Sequence, residues 1–287
     1  MAIRRYGPRR PRREAIIRTH RILVLLVFVL TAHHAFALGF EQCSDQLPFG
    51  EPKLKQHASV TPLCHEGYAA LVDNDLLVPR WVAYTLTRAH TLGCLDREQY
   101  CHFHADEALD PDHRATPNDY ATSGYDKGHL APAADFSWDQ RELTESCSMA
   151  NIAPQVPGLN RKEWERLEET VRSWAYDREK LVIFVGPVIH DRESSIGTDH
   201  VSVPVAFWKV VVDPEQQDAL AFEMRQEDIP KGPLQPFQTS LSQIEEDAAI
   251  TLPLPDAVDR ESKPSLWKTS ISVWNKRHKA ACEAAGE

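Results

Sequence analysis

The chain lacks the signatures of several common enzyme classes. Its 287 residues contain no Walker-type phosphate loop, no G-x-S-x-G elbow and no H-E-x-x-H zinc pair. This excludes P-loop phosphoryl transfer, α/β-hydrolase acyl transfer and that type of zinc proteolysis. There is no internal repeat and no Gly/Ser linker, which argues against a solenoid or a string of small domains. A surplus of positive charge is missing too: 32 Lys and Arg stand against 42 Asp and Glu. Net charge therefore cannot attract a polyanion, and a nucleic-acid partner would need a local basic patch and a metal ion. The apolar run 22–32, ILVLLVFVLTA, falls short of the ~20 residues a spanning helix requires, and His33 and His34 follow closely.

That apolar run has a different meaning in its setting. Residues 1–21 carry eight arginines and one acidic residue, and Ala35-Phe36-Ala37 follows the run. A basic start, a short apolar core and an A-x-A site are the order of a secretory signal. Cleavage after Ala37 is expected, leaving residues 38–287 as a single domain, secreted or periplasmic and without stable membrane association. Lys plus Arg then falls to 24 and Asp plus Glu to 41, a balance near −17.

All six cysteines (Cys43, Cys64, Cys94, Cys101, Cys147 and Cys282) lie beyond this segment. An even count in an exported chain points to disulfides, whose pairing sequence alone leaves open. Proximity favours Cys43–Cys64 and Cys94–Cys101, with Cys147–Cys282 tying down the C-terminal region. The stretch CHFH at 101–104 has no second Cys/His pair at finger spacing, which argues against a zinc knuckle.

Twenty prolines break the chain into short elements. Residues 80–90 alternate Trp81, Ala83 and Thr85 against Val82, Tyr84 and Leu86, predicting a strand buried on both faces. Residues 181–189 and 201–213 predict two stronger strands, and 219–226 a hairpin partner to the second. A helix is expected from Asn160 to about Tyr176 and a short one near SLSQIEEDAA; residues 265–285 are ambiguous. Strands with few helices make an α+β domain around a central sheet.

The central helix carries two stripes. Trp164, Leu167, Val171 and Trp174 follow the spacing of a buried face. Asn160, Glu168 and Arg172 lie at multiples of four and form a polar row beside it, with Asn160 expected as the N-cap. Alone, such a row is a cap and a solvated ion pair. Its meaning changes if a base stands nearby, and His129 in SGYDKGHLAPAAD is a candidate. Phosphodiester hydrolysis needs an activated water and a cation to offset developing charge. Histidine supplies the base, a carboxamide oxygen suits Mg²⁺, a carboxylate can hold its waters, and arginine grips phosphate.

These residues resemble the DNA/RNA non-specific endonuclease family, the ββα-metal nucleases. The family motif Asp-Arg-Gly-His is matched by Asp126-Lys127-Gly128-His129. Its later Asn-x-x-Pro-Gln is matched by Asn151 to Gln155, followed by Asn160, Trp164, Glu168 and Arg172 at the family's spacing. IFVGPV at 183–188 and FWKVVVD at 207–213 extend the likeness, which covers roughly residues 80–225.

The resemblance implies an α+β, ββα-metal (His-Me finger) fold with a central, mostly antiparallel sheet flanked by helices. It implies hydrolysis of DNA and RNA with little sequence preference, leaving 5′-phosphate ends. His129 would be the general base and Asn160 the direct protein ligand to Mg²⁺, for which Mn²⁺ or another divalent cation can substitute. Glu168 would orient the metal's waters, Arg172 would contact phosphate, and Asn151 would position the histidine or the metal. The family's frequent homodimers add a second copy of the chain as an implied partner. Two features depart from the pattern. Lys127 stands where arginine is usual, keeping the charge but losing the planar fork. The family's upstream arginine has Arg97 as its candidate, with His102 nearer the expected spot. The alternative reading is a catalytically weak or inactive nucleic-acid-binding protein on the same scaffold.

Overall fold

The computed structural model describes residues 1–2, 7, 39–190 and 194–286. The segment read as a secretory signal therefore lies outside the described residues, apart from three isolated positions. In chain order the principal strands are β1 (Val60–Cys64), β2 (Ala69–Asp73), β3 (Val78–Thr87), β4 (Asp126–His129), β5 (Ile152–Gln155), β6 (Lys180–Val188), β7 (Ala206–Asp213), β8 (Asp218–Arg225) and β9 (Gln238–Thr239). The principal helices are α1 (Arg97–Tyr100), α2 (Gln140–Ser146), α3 (Glu165–Arg178), α4 (Leu241–Asp247) and α5 (Ile271–Ala285).

Seven strands form one sheet in the order β9-β8-β7-β6-β3-β2-β1, every neighbouring pair antiparallel. β6 and β7 are buried along nearly their whole length, because the sheet is covered on both sides. Ile183, Val185, Phe207, Val211 and Phe222 face a core shared with Trp164, Leu167, Val171 and Trp174 of the central helical run. Val182, Phe184, Trp208, Val210 and Val212 face the opposite core, under Leu241 and Ile244 of α4. The period-two alternation of each strand thus divides its apolar residues between two helix-covered layers. Among the described residues no helix is long and apolar enough to cross a membrane.

Several expectations are revised. The predicted strand 201–213 is two pieces, Val201–Ser202 and Ala206–Asp213, because Pro204 between them has no N–H to give a ladder. The central helix begins at Pro157, where a missing N–H costs nothing. Asn160 is therefore not the cap; its own N–H already donates to Val156 O at 3.0 Å. Residues Leu159–Trp164 are wound as a π turn before α3 continues as ordinary helix. The ambiguous C-terminal stretch is helical at 271–285, docked through Trp274 and His278, which donate to Thr91 O and Gly93 O.

Cys43–Cys64 is bonded as expected, but the other pairs are Cys94–Cys282 and Cys101–Cys147. Cys94 and Cys101 are close in sequence, yet α1 intervenes and carries Cys101 to the end of α2. Cys94 stays instead beside the docking face of α5.

Candidate active site

β4 and β5 are a separate antiparallel pair that presents His129 at the end of β4, opposite Ile152. Gly128 is required by packing: a Cβ there would lie 2.5 Å from Gln155 Oε1 and 2.6 Å from Gln155 Cβ. Asn151, fully buried, pins the chain just after the histidine. Its Oδ1 accepts from Ala131 N at 2.9 Å, and its Nδ2 donates to Ala131 O at 2.8 Å and Ser146 O at 2.7 Å. The loop that follows His129 is thereby held at both backbone polar groups of Ala131.

His129, Lys127, Asn160, Glu168 and Arg172 line one open cleft of about 210 Å³, joined by Arg97, Arg161 and Glu165. Asn151 lies beneath it rather than on its wall. Of the two candidates for the upstream cation, Arg97 lines the cleft and His102 does not. A larger cavity of about 540 Å³, lined among others by Asp73, Arg80, Glu246 and Asp247, contains none of the motif residues. The smaller cleft is the relevant one because it alone of the two gathers the motif residues.

Several side chains of the cleft are held from behind. Asn160 Nδ2 donates to Asp126 Oδ2 at 2.9 Å. A carboxylate only accepts, so this bond fixes the amide with Oδ1 turned away from Asp126. Arg161 forms two further bonds to Asp126, whose carboxyl would be pushed up by burial but is held below its ordinary value by Arg161 and Asn160. Lys127 lies over the rings of Phe103 and Tyr120, at 5.3 and 5.8 Å. Arg172 Nη1 bonds Asp135 Oδ1 at 2.8 Å while its guanidinium lies over Trp274. Asp135 also accepts from Tyr84 OH at 2.8 Å.

Two residues with clear roles here are absent from the sequence-based set. Lys209 sits in β7 between Trp208 and Val210 and is wholly buried, its Nζ 3.6 Å from Glu168 Oε1. Burial pushes the Glu168 carboxyl up while Lys209 and Arg172 pull it down, leaving it at about 6. The same burial pushes Lys209 below its ordinary value against the opposing pull of Glu168. Asp135 is the second: it pairs with Arg172, which keeps that guanidinium charged, and it raises Glu168. A lone lysine inside an apolar strand was the available signal, since such a lysine needs a buried partner.

His129 is enclosed, and burial together with the nearby positive charge of Arg97 pushes its imidazole down to about 3. It is therefore neutral at physiological pH, with one ring nitrogen unprotonated. Nε2 faces sulfur, 3.3 Å from Cys147 Sγ and 3.9 Å from Cys101 Sγ, which leaves Nδ1 as the nitrogen for the cleft. Asn160 Oδ1 and the Glu168 carboxylate are hard oxygen donors on the same wall, a set that fits Mg²⁺ better than a thiophilic metal. In an acidic chain, the cleft gathers Arg97, Lys127, Arg161 and Arg172 against Glu165 and Glu168.

Comparison with known proteins agrees with this geometry. The family model described as DNA/RNA non-specific endonuclease matches residues 45–259. Mitochondrial endonuclease G of Homo sapiens is 34% identical over 174 residues, 57% of this chain and 57% of that protein. Mitochondrial endonuclease G of Bos taurus is 36% identical over 142 residues, 46% of this chain and 47% of that protein. A nuclease of Nostoc sp. (strain PCC 7120) is 32% identical over 177 residues, 59% of this chain and 62% of that protein. The chain thus spans about half the length of the mitochondrial relatives it matches. The crystal structure of an EndoG/EndoGI complex superposes with a TM-score of 0.66 at 28% identity, covering 74% of this chain and 91% of that one. The two-strand element, the helix and the antiparallel sheet are therefore the α+β, ββα-metal arrangement expected from the motif.

Proposed function

Because the chain belongs to the DNA/RNA non-specific endonuclease family, we propose that it is a Mg²⁺-dependent endonuclease. It would cut the phosphodiester bonds of DNA and RNA with little sequence preference and act in a secreted or periplasmic setting. The observation that carries this reading is the convergence of His129, Asn160, Glu168, Arg172 and Lys127 on one cleft, from a strand pair and a helix more than thirty positions apart in places.

A backbone phosphate lying in the cleft meets Arg172, Lys127 and Arg97, which offset its charge as it rises during attack. His129 Nδ1 takes a proton from the attacking water, whose oxygen bonds to phosphorus. The bond from phosphorus to the 3′ oxygen breaks, leaving a 5′-phosphate and a 3′-hydroxyl that takes its proton from solvent. Asn160 Oδ1 would hold the cation directly and Glu168 through water; when bound, Mg²⁺ supplies Lewis-acid stabilisation of the developing charge. Asn151 keeps the histidine loop in place. The three disulfides among the described residues support an oxidising compartment.

The test is digestion of plasmid DNA and of RNA by the purified chain, with Mg²⁺ and then with EDTA. Cleavage of both should require the cation, and His129→Ala should slow it by about 10²–10⁴-fold while leaving the circular dichroism spectrum intact. Binding without turnover in the parent protein would favour the non-catalytic alternative. Full activity in His129→Ala would remove the base from the mechanism.

A further inference from the structure

The side of His129 that faces away from the cleft meets a disulfide. A working imidazole is ordinarily oriented through its second nitrogen by a carboxylate or a carbonyl. Here Nε2 meets the Cys101–Cys147 sulfurs, which are weak acceptors. The ligand atoms of Cys101, His129 and Cys147 all lie within 4.8 Å of one another. We propose that reduction of Cys101–Cys147 converts this spot into a Cys₂His site for a thiophilic divalent cation such as Zn²⁺, and that filling it silences His129. The silencing rests on the function proposed above; the cation site does not.

The distances suit the site. Tetrahedral zinc, with bonds near 2.3 Å to sulfur and 2.0–2.1 Å to nitrogen, sets sulfur–nitrogen edges of about 3.5 Å and a sulfur–sulfur edge of about 3.8 Å. The two sulfur–nitrogen separations of 3.3 and 3.9 Å already bracket the first value. Only the sulfurs must part, and breaking their bond allows it. A dithiol reductant delivers two electrons and two protons, yielding thiols at Cys101 and Cys147 and a cyclic disulfide from the reductant. The cation then takes both sulfurs as thiolates, and two protons leave to solvent. A disulfide oxidant runs the sequence backwards: the protein bond reforms, the oxidant takes two protons from solvent and leaves as two thiols, and the cation is released.

Silencing follows from the tautomer. A neutral imidazole carries one proton. With the disulfide present, Nε2 can hold that proton toward sulfur, so the lone pair at Nδ1 is free for water. With a cation on Nε2 the proton must sit on Nδ1, and the cleft loses its base. An enzyme made in a reducing compartment would thus be inert toward its producer's nucleic acids and would gain activity on oxidation.

Cobalt tests the site without recourse to activity. A Cys94→Ser/Cys282→Ser background removes the other cysteine pair that lies beside a histidine, His278. In that background the reduced protein should take up one more Co²⁺ than its Cys147→Ser counterpart, with thiolate-to-cobalt absorption that disappears on adding glutathione disulfide. His129→Ala should alter the visible cobalt bands. With Mg²⁺ in excess, Zn²⁺ should lower the nuclease rate of the reduced parent protein by at least about 10²-fold, with recovery on reoxidation. Equal cobalt uptake, or a fold lost on reduction and not restored by zinc, overturns the site. Cobalt bands with an unchanged nuclease rate overturn the silencing. Inactivity of the oxidised, zinc-free protein would instead count against the proposed function, which the cobalt spectrum does not test.

Discussion

At the scale of single residues, the cleft separates two titrations. Burial and Arg97 hold His129 at about 3, whereas burial leaves Glu168 at about 6 despite Lys209 and Arg172. At limiting Mg²⁺ the acid limb of kcat/KM should therefore lie near 6 and report Glu168, and bound cation should lower it. Lys209→Met removes the cation nearest Glu168, so its carboxyl holds a proton to higher pH and the limb should move upward. Arg97→Ala should lower the rate without moving the limb, because burial still keeps His129 below Glu168. A limb that moves with Arg97 and not with Lys209 would reverse these assignments. Stability follows the same physics. The unfolded chain protonates His129 below its ordinary value near 6.5 while the folded chain resists until about 3. Stability should therefore decline as pH falls through that window, and His129→Leu should flatten the decline in urea titrations. His129, Asn160, Glu168 and Arg172 are legible in the sequence because their types and spacing form one motif. Lys209 and Asp135 were not, because their partners are set by which strand face lies under the helix.

At the scale of elements, the histidine is delivered by two four-residue strands whose fit leaves no space at Gly128. Gly128→Ala must displace Gln155, and the expected cost is about 1–3 kcal/mol, read as a lowered midpoint in thermal or urea unfolding. Midpoints equal to the parent's would mean the strand pair yields easily. Helix and strand periodicity located β3, β6, β8 and the central helix, since each buries a face whose pattern is local. The helix start was misplaced because Pro157 and the Val156 carbonyl act before Asn160, and a good capping residue type does not reveal that it is already inside. α5 was ambiguous because its contacts are distant in sequence: Trp274, His278 and Cys282 meet residues 91–94, and Trp274 and Asn275 meet Arg172 and Glu169.

At the scale of the molecule, an acidic chain gathers Arg97, Lys127, Arg161 and Arg172 in the one cleft where the proposed polyanion would lie. Attraction is thus local, and cleavage should weaken as salt rises from low to physiological concentration. A rate flat across that range would show that the cleft cations do not govern binding. The Cys94–Cys282 bond closes a separation of 188 residues, and loop entropy sets its contribution at up to about 5 kcal/mol. The Cys94→Ser/Cys282→Ser protein should accordingly unfold at lower urea, with α5 the first element to lose amide-exchange protection. Only Cys43–Cys64 was readable from spacing, because its ends are 21 residues apart, whereas the other pairs, 46 and 188 apart, depend on how α1 and α5 are carried across the fold.

The wide turn at Leu159–Trp164 also bears on what the helix can lose. A π turn amounts to an α-helix holding one residue too many, and such a residue is ordinarily the easiest kind to delete, since the helix heals around its loss. Here deletion would swing Asn160 about 100° relative to Glu168 and take it from Asp126. The surplus residue therefore aims Asn160: deleting it would mend the helix and unmake the donor pair proposed to hold the cation.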